Sequence, residues 1–400
     1  MRRVFEQGAY ADRALHREAR GLGTRERAFA MQLAFGTVQR RLSLDHMIEQ
    51  LARPAAELDP ATLAALRLGL YQLAFLDGGG AHAVVGESVE LAKAGPGGGH
   101  KLVNAVLRRA ARELPRLPSD DTPAGAAVAH SYPPWLVHLW WQQFGADDAR
   151  ALLRCGNEAA ELALRANALV TTRAQLAAAL PVPTHPAAEL PEGLVVDGPF
   201  DAQAHELWRT GAFATQSRAS MLVARALYPQ PGERVLDLCA APGGKTTHVA
   251  ALMGGEGAIV AVERHAGRAA ALERTCERMR ACNVTVEVGD AARYATSERF
   301  DRVLVDPPCS GLGTVQGHPD LRWRVTPEAI EEMARSQADI LRAGVAALRP
   351  GGTLVYSTCT LSPRENEHQV MAVDLRLESA RLVLPHRDRT DGFYIARMTA

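Results

Sequence analysis

The chain has 400 residues, no formal net charge at pH 7, and 47% hydrophobic and 22% charged residues. Domains hold roughly 100 to 200 residues each, so this length predicts two or three of them. No stretch approaches the ~18 apolar residues that span a bilayer, and charged residues interrupt the N-terminal apolar stretches too often for a signal peptide. We therefore expect a globular cytoplasmic protein with no membrane partner.

Positive charge is unevenly distributed even though the total is balanced. Residues 1–41 hold nine arginines against four acidic residues, and residues 101–116 hold five lysines or arginines against one glutamate. A neutral total gives no global field that would attract a nucleic acid. The two clusters are either ordinary solvated helix faces or a phosphate-binding surface of one domain.

The six cysteines contain no C-x-x-C pair. In a reducing compartment this spacing favours neither a disulfide framework nor a structural zinc site, and we expect no metal. Most cysteines are then expected to be small buried apolar residues.

The first segment, residues 1–125, is predicted to be an all-helical domain. Apolar residues recur at helical spacing between residues 24 and 115, as in RAFAMQLAFGTVQRRL and KLVNAVLRRAARELP. The segment LPRLPSDDTPAG that follows has the proline, aspartate and glycine content of an interdomain linker.

Two further domains are predicted. Residues 126–205 combine helices over PPWLVHLWWQQF, DDARALLRCG and TTRAQLAAAL with strands over ELALRAN and GLVVDG, which indicates a small α/β domain. Residues 206–400 contain the strands RVLDL, AIVAV, VTVEV, RVLVD and TLVYS, with a helical stretch after each of the first four. This alternation predicts a Rossmann-like parallel sheet covered by helices on both faces.

The first of these strands runs into a turn of small residues, DLCAAPGGKT at 237–246, which lets the backbone approach a ligand closely. A phosphate-binding P-loop would need glycine where Cys239 stands. A dinucleotide fingerprint fails because Gly243 and Gly244 are adjacent and no third glycine follows at the right offset. The turn therefore favours neither a nucleoside triphosphate nor NAD.

Acidic residues follow the next two strands. Glu263 is placed to accept hydrogen bonds from ribose hydroxyls, and Asp290 is placed near an adenine. Acidic strand ends facing a glycine turn without a phosphate cradle suit S-adenosylmethionine, which has a ribose, an adenine and no phosphate.

Two cysteines, Cys309 and Cys359, follow the fourth and fifth strands at the same edge of the sheet. Carbon 5 of cytosine takes a methyl group only after a thiolate adds to carbon 6, and its proton must then be removed before the thiolate leaves. Asp306 is placed to hydrogen-bond or protonate ring nitrogen 3. Lys245 either lowers a thiol pKa or pairs with Asp306. The residues alone do not decide which cysteine attacks.

Several segments resemble bacterial RNA cytosine-5 methyltransferases of the Sun or Fmu type, the ribosomal small-subunit methyltransferases B. The matching segments are LDLCAAPGGKTTH, VEVGDA, LVDPPCSGLGT, HPDLRW, LVYSTCTLSPREN, GAFATQSRAS and DGFYIARM. RERAFAMQLAFGTVQRRLSLDHMI and VVGESVELAKAGPGGGHKLVNAVLRR resemble the NusB-type RNA-binding fold. The resemblance covers nearly the whole chain.

The resemblance implies an enzyme that methylates 16S ribosomal RNA. We expect a monomer that acts on this RNA outside the fully assembled subunit. It assigns nucleophilic attack to Cys359 and product release to Cys309. It assigns S-adenosylmethionine binding to Glu263, Asp290, Asp306 and the turn formed by Cys239, Ala240, Ala241, Pro242, Gly243, Gly244 and Lys245. The chain departs from the family pattern at Glu263, where aspartate is more usual, and at Pro307, where alanine is commoner.

Two alternatives remain open. One is a transfer-RNA cytosine-5 methyltransferase, which shares the catalytic motifs but is not expected to carry the NusB-like segment. The other is a non-catalytic RNA-binding assembly factor on the same fold. That second alternative predicts a damaged cofactor turn or a missing cysteine, and the sequence has neither defect.

Overall fold

The structure is a computed structural model that describes residues 2–19, 21–52, 54–76, 80–95 and 97–400. The chain forms two compact units, one of Met1–Ala159 with Val315–Arg324, and one of Ala160–Thr314 with Val325–Ala400. The predicted segment 126–205 is thus divided between the two units, and the boundaries at 125 and 205 remain predictions. No helix in the described ranges combines the length and apolar content that a membrane span requires.

The first unit is helical, as the periodicity predicts. Its helices include α1 (Arg2–Gln7), α2 (Ala11–Glu18), α3 (Thr24–Gln39), α4 (Arg41–Leu51), α5 (Pro60–Phe75), α6 (Ala81–Lys93), α7 (His100–Arg112), α8 (Pro123–His130) and α9 (Pro134–Cys155). The Asp59 carboxylate caps α5 by accepting hydrogen bonds from two backbone amides of its first turn. Leu44, Ile48, Leu66 and Leu107 are fully buried and form the centre of the core.

Helix α9 joins two segments that the sequence predicts as separate helices. Gly145 lies between them with a non-helical backbone (φ 81°, ψ 171°), a conformation that residues with a Cβ rarely adopt. The two predicted helices therefore meet at a glycine kink.

The second unit contains a small antiparallel sheet in the order β2-β3-β1-β4. Its strands are β1 (Ala163–Ala166), β2 (Thr184–Pro186), β3 (Gly193–Val196) and β4 (Phe213–Thr215). Leu164, Leu194 and Phe213 are buried against Leu176 of the adjacent helix. The strands predicted over ELALRAN and GLVVDG are β1 and β3.

A seven-stranded sheet in the order β10-β11-β9-β8-β5-β6-β7 dominates this unit. Its strands are β5 (Arg234–Asp237), β6 (Ala258–Glu263), β7 (Val284–Val288), β8 (Phe300–Val305), β9 (Leu348–Thr358), β10 (Arg376–Val383) and β11 (Phe393–Thr399). The five strands predicted from the sequence, β5 to β9, are parallel to one another, whereas β11 pairs antiparallel with both β9 and β10.

The helices that follow α9 along the chain belong to the second unit, except Leu321–Arg324, which belongs to the first. They are α10 (Arg173–Ala179), α11 (Glu206–Arg209), α12 (Arg218–Leu227), α13 (Gly244–Leu252), α14 (Ala266–Arg278), α15 (Leu321–Arg324), α16 (Pro327–Ala347), α17 (Glu367–Val370) and α18 (Pro385–Asp388). The prediction of a helix after the third strand is wrong. Only a 3-10 turn, Ala291–Arg293, lies between β7 and β8, because the connection is too short for a covering helix.

The segment Val315–Arg324 belongs to the first unit although it follows the Pro-Pro-Cys loop of the large sheet. Arg322 is fully buried there and donates hydrogen bonds to the carbonyl oxygens of Ser131 (3.2 Å) and Gly156 (2.9 Å). Its guanidinium lies 3.8 Å from the centre of the Tyr132 ring. Burial lowers the Arg322 pKa to about 10. The HPDLRW motif, which includes Arg322, thus contributes to the core of the helical unit.

Candidate active site

The carboxyl ends of β6, β5, β8 and β9 meet at one edge of the large sheet, because these neighbours are parallel. Glu263 ends β6, Asp237 ends β5, Asp306 follows β8 and Cys359 follows β9. Ligands of open parallel sheets lie at this edge. Residues distant in the sequence are brought together here.

The glycine turn after β5 requires a glycine at Gly243. Its φ is +102°, and a Cβ at this position would lie 2.8 Å from the Leu272 side chain. Helix α13 begins at Gly244, and the Thr246 hydroxyl at its first turn donates a hydrogen bond to Asp237 (2.7 Å). The turn and the helix are thereby fixed to the end of β5.

A first cavity of about 330 Å³ adjoins this turn. Both acids predicted to bind the cofactor, Glu263 and Asp290, lie in its wall together with Asp306. Glu263 is buried, and one carboxylate oxygen accepts a hydrogen bond from the His265 backbone amide (2.9 Å). The other oxygen lies 3.5 Å from Arg268. A carboxylate held in this way can accept hydrogen bonds from ribose hydroxyls.

The lining of this cavity suits a nucleoside that carries a sulfonium group better than it suits a ligand that carries a phosphate. Leu238, Val262, Ala291 and Ile340 provide apolar wall next to the acids. Arg268 also lines the cavity, but it donates a hydrogen bond to the Ala241 carbonyl (2.8 Å) and faces Glu263. The side chains that line this cavity therefore fit S-adenosylmethionine.

The two predicted cysteines lie side by side, with 3.3 Å between the Sγ atoms of Cys309 and Cys359. The Gly313 amide donates to the Cys359 carbonyl (2.9 Å), which links the two loops. The hydrogen bond with Cys359, burial, and nearby negative charge raise the Cys309 pKa well above its usual value. The surroundings of Cys309 therefore disfavour its thiolate form.

Lys245 pairs with Asp306, which is one of the two roles that the sequence left open. Lys245 Nζ lies 2.7 Å from one Asp306 oxygen, and the Ser357 hydroxyl donates to the other (2.7 Å). Burial disfavours the ammonium, but Asp306 outweighs that cost and raises the Lys245 pKa. This pair orients the Asp306 carboxyl group at the junction with Cys359.

Asp237 was not predicted as a separate site residue. It is buried, and one of its oxygens has no hydrogen-bond partner among the described residues. Burial raises its pKa to about 6, with a further contribution from Asp306. A carboxyl group at a strand end is the signal in the sequence, but its degree of burial is visible only in the fold.

A second cavity of about 270 Å³ shares Cys239, Ala241, Asp306 and Cys359 with the first. Its remaining wall includes side chains that the sequence analysis does not assign to a site: Thr215, Gln216, Ser217, Ser220, Asp391 and Phe393. These residues belong to the GAFATQSRAS and DGFYIARM segments. The site thus has two chambers that meet at a thiol and a carboxylate.

The remaining turn residues also lie at this junction. Ala240, Pro242, Gly244 and Lys245 line the second cavity. Burial raises the pKa of the Cys239 thiol far above its ordinary value, so this cysteine contributes an uncharged surface. Within the described ranges, no three His, Cys, Asp or Glu side chains gather as metal ligands would.

Three family models match the chain. Residues 1–112 match the NusB family, residues 132–203 match the ferredoxin-like domain of RsmF/B-like methyltransferases, and residues 224–382 match the 16S rRNA methyltransferase RsmB/F family. These matches confirm the predicted combination of a helical NusB-like domain, a small α/β domain and a Rossmann-like methyltransferase domain.

Similar proteins cover the whole length of the chain. A probable ribosomal RNA small subunit methyltransferase B from Synechocystis is 38% identical over 100% of this chain and 97% of its own length. The crystal structure of PH0851 has a TM-score of 0.83 at 25% identity and covers 99% of this chain and 95% of its own. The structure of NSun6 from Pyrococcus horikoshii with SFG has a TM-score of 0.63 at 25% identity, covering 68% of this chain and 98% of its own.

The glycine turn, the acidic cavity wall and the full-length relative agree with one another. The chain therefore belongs to the ribosomal RNA small subunit methyltransferase B family and is an S-adenosylmethionine-dependent methyltransferase.

Proposed function

We propose that this enzyme methylates carbon 5 of a cytosine in 16S ribosomal RNA through a covalent adduct on Cys359. The observation that carries the proposal is the meeting of the two cavities at Cys359 and Asp306. A methyl donor in the first cavity and a cytosine in the second would both reach this junction. The relatives named as ribosomal RNA methyltransferases support the choice of substrate.

The first cavity holds the cofactor in this proposal. Glu263 binds the ribose hydroxyls, Asp290 lies at the adenine end, and Cys239 and Ala241 of the glycine turn line the wall. The other lining residues of the turn, Ala240, Pro242, Gly244 and Lys245, face the second cavity. S-adenosylmethionine, when bound, supplies an electrophilic methyl group.

The second cavity holds the target cytosine, turned out of its RNA strand. The Cys359 thiolate adds to carbon 6, and the electron pair of the carbon 5–carbon 6 double bond becomes available at carbon 5 for the methyl group. Asp306, fixed by Lys245 and Ser357, relays the proton of the Cys359 thiol to ring nitrogen 3, which neutralises the negative charge of the adduct, and it returns that proton when Cys359 leaves. Cys309 gives up its own proton to water once Cys359 is bonded to carbon, its thiolate then takes the carbon 5 proton, the double bond re-forms, and the Cys359–carbon 6 bond breaks.

Two observations support this division of roles between the cysteines. Cys359 lines both cavities, whereas Cys309 lines the first. The hydrogen bond with Cys359, burial and nearby negative charge raise the Cys309 pKa, which disfavours Cys309 as the attacking thiolate. Cys309 acts after attack, when Cys359 is bonded to carbon and can no longer share a proton with it.

The alternatives are less well supported. A non-catalytic assembly factor would not need two sulfur atoms 3.3 Å apart at the junction of two cavities. A transfer-RNA methyltransferase would use the same site, but the NusB family match over residues 1–112 favours ribosomal RNA.

The two cysteines are predicted to fail in different ways. Cys359→Ala should abolish methylation and form no adduct, because the nucleophile is lost. Cys309→Ala should attack and transfer the methyl group but stall before elimination, leaving enzyme bonded to RNA. Denaturing electrophoresis with labelled RNA, with and without S-adenosylmethionine, measures the complex.

Cys282→Ala is the matched control, because Cys282 is exposed and should not affect trapping. The wild type should be trapped only on 5-fluorocytosine RNA, whose carbon 5 cannot release a proton. The double cysteine variant should be trapped on neither 5-fluorocytosine RNA nor unmodified RNA. A stable complex with Cys359→Ala rather than Cys309→Ala would reverse the two roles.

Cofactor binding is predicted to depend on Glu263 and Gly243. Glu263→Ala removes hydrogen bonds to a charged acceptor and should weaken S-adenosylmethionine binding by about 10- to 100-fold. Gly243→Val should be at least as damaging, because its side chain would strike Leu272. Isothermal titration calorimetry measures both, with the exposed Glu256→Ala as control. Unchanged affinity in Glu263→Ala, or tighter binding of ATP than of S-adenosylmethionine, contradicts this assignment.

The second basic cluster is predicted to contact RNA phosphates. Lys101, Arg108 and Arg112 are exposed along α7, at the spacing of one helix face, and no described carboxylate forms a salt bridge with them. In the first cluster, by contrast, Arg40 and Arg41 lie over aromatic rings within the helical unit. The exposed cations of α7 are therefore better placed to bind RNA than Arg40 and Arg41.

Replacing Lys101, Arg108 and Arg112 with alanine should weaken RNA binding and reduce the slope of log affinity against log salt by about 2. The control is a triple alanine variant at the exposed Arg299, Arg342 and Arg376. Filter binding across salt concentrations measures both. An unchanged slope would mean that the α7 cations are simply solvated.

A further inference from the structure

A buried carboxylate that the proposed mechanism does not use lies behind the two cysteines. Glu365 belongs to the loop that follows Cys359, between β9 and α17, and is fully buried. Placing a carboxylate in a protein interior costs several kcal/mol unless hydrogen bonds compensate it. Its partners therefore show what it holds in place.

Both oxygens of Glu365 accept hydrogen bonds from the neighbouring loop that carries Cys309. One oxygen accepts from the Ser310 backbone amide (2.8 Å) and the other from the Ser310 hydroxyl (2.5 Å). The Ser310 hydroxyl also lies 2.6 Å from Thr360, the residue directly after Cys359. The two cysteine loops are thus joined one residue beyond each sulfur.

Helix α16 completes the arrangement through Gln337, which is fully buried. Gln337 Nε2 donates to the Pro308 carbonyl (2.9 Å) and to Glu365 (3.1 Å). The Tyr356 hydroxyl donates to the Glu365 carbonyl (2.6 Å). The residues on both sides of Cys309 are therefore fixed to one carboxylate and its nearest partner.

We infer that Glu365 is a positioning residue that sets the separation of Cys309 and Cys359, and so controls release of the methylated RNA. The consequence for release rests on the proposed function, whereas the consequence for the sulfur separation does not. We call Glu365 with Ser310, Gln337 and Thr360 the carboxylate clamp.

The negative charge of Glu365 has a second effect. After the hydrogen bond with Cys359 and burial, nearby negative charges including Glu365 contribute to the raised Cys309 pKa. A neutral side chain of the same shape should lower the Cys309 pKa. Release, if it needs the Cys309 thiolate, would then reach its full rate at lower pH.

Disulfide formation measures the sulfur separation without RNA. Diamide oxidises two adjacent thiols to a disulfide, and its azo group is reduced to a hydrazine by the two electrons and two protons. Peptide mapping by mass spectrometry follows the Cys309–Cys359 bond in the wild type, Glu365→Gln and Glu365→Ala. Glu331→Gln is the matched control, because Glu331 pairs with Arg364 at the surface.

Glu365→Ala should slow Cys309–Cys359 disulfide formation by at least about tenfold, since a misplacement of about 1 Å is enough to change rates on this scale. Glu365→Gln keeps an acceptor for the Ser310 amide and should be no slower than the wild type. Equal rates in Glu365→Ala and wild type would overturn the inference. Calorimetry with S-adenosylmethionine checks folding, and if Glu365→Ala does not fold, Glu365→Asp should show the slower reaction in its place.

Release of RNA is measured by the decay of the covalent complex across pH. Glu365→Ala should accumulate the complex as Cys309→Ala does, and Glu365→Gln should move the pH profile of release to lower pH. A Glu365→Gln profile that coincides with the wild type would contradict the role of the charge. If the disulfide depends on Glu365 but wild type never traps on 5-fluorocytosine RNA, the clamp stands and the proposed function fails.

Discussion

The parallel pairing of β8 with β9 is the constraint on which the site depends. Val305 lies opposite Tyr356 in this pairing, so the loops that begin just beyond them leave the sheet at the same edge and height. Cys309 and Cys359 are thereby brought to 3.3 Å although fifty positions separate them along the chain. Pairing of β8 with β5 on its other side brings Asp306 to the glycine turn and to Lys245. A shift in either register would separate the thiols from the carboxylate.

Polar contacts then convert this proximity into a fixed geometry. Asp306 is held by Lys245 and Ser357, while the carboxylate clamp holds the backbone on both sides of Cys309. Buried charges of this kind are retained at a cost in stability, and they gain specificity of arrangement only when fully hydrogen-bonded. Asp237 is the exception, since one of its oxygens lacks a partner among the described residues. Hydrogen bonds therefore fix the loops around the cysteines, whereas beneath the glycine turn burial and Asp306 raise the Asp237 pKa.

Much of this could be predicted from the sequence, because the relevant signals are local. A buried parallel strand is a short apolar run in the sequence, and the residue at its carboxyl end is a candidate ligand contact. This pattern predicts Glu263, Asp306 and Cys359. The antiparallel strand β10 lacks such a run, since most of its side chains are exposed. The carboxylate clamp could not be predicted from the sequence, because the role of Glu365 depends on its contacts with residues of three different elements. Nor could periodicity show that HPDLRW, with the buried Arg322, belongs to the helical unit.

That last feature also affects how RNA binding is tested. Deleting residues 1–125 would remove helix α4 and the Val38 carbonyl, which accepts a hydrogen bond from Trp323 (2.7 Å). The deletion would therefore disturb the segment that follows the Cys309 loop. Surface substitutions on α7 avoid this disturbance.

The most direct test of the account is the position-resolved detection of 5-methylcytosine by bisulfite sequencing. Ribosomal RNA and bulk transfer RNA from cells lacking the protein would be incubated with S-adenosylmethionine and either wild type or Cys359→Ala. The account predicts one protected cytosine in 16S ribosomal RNA with wild type and none with Cys359→Ala. Protection in transfer RNA alone, or equal protection with both proteins, would contradict it.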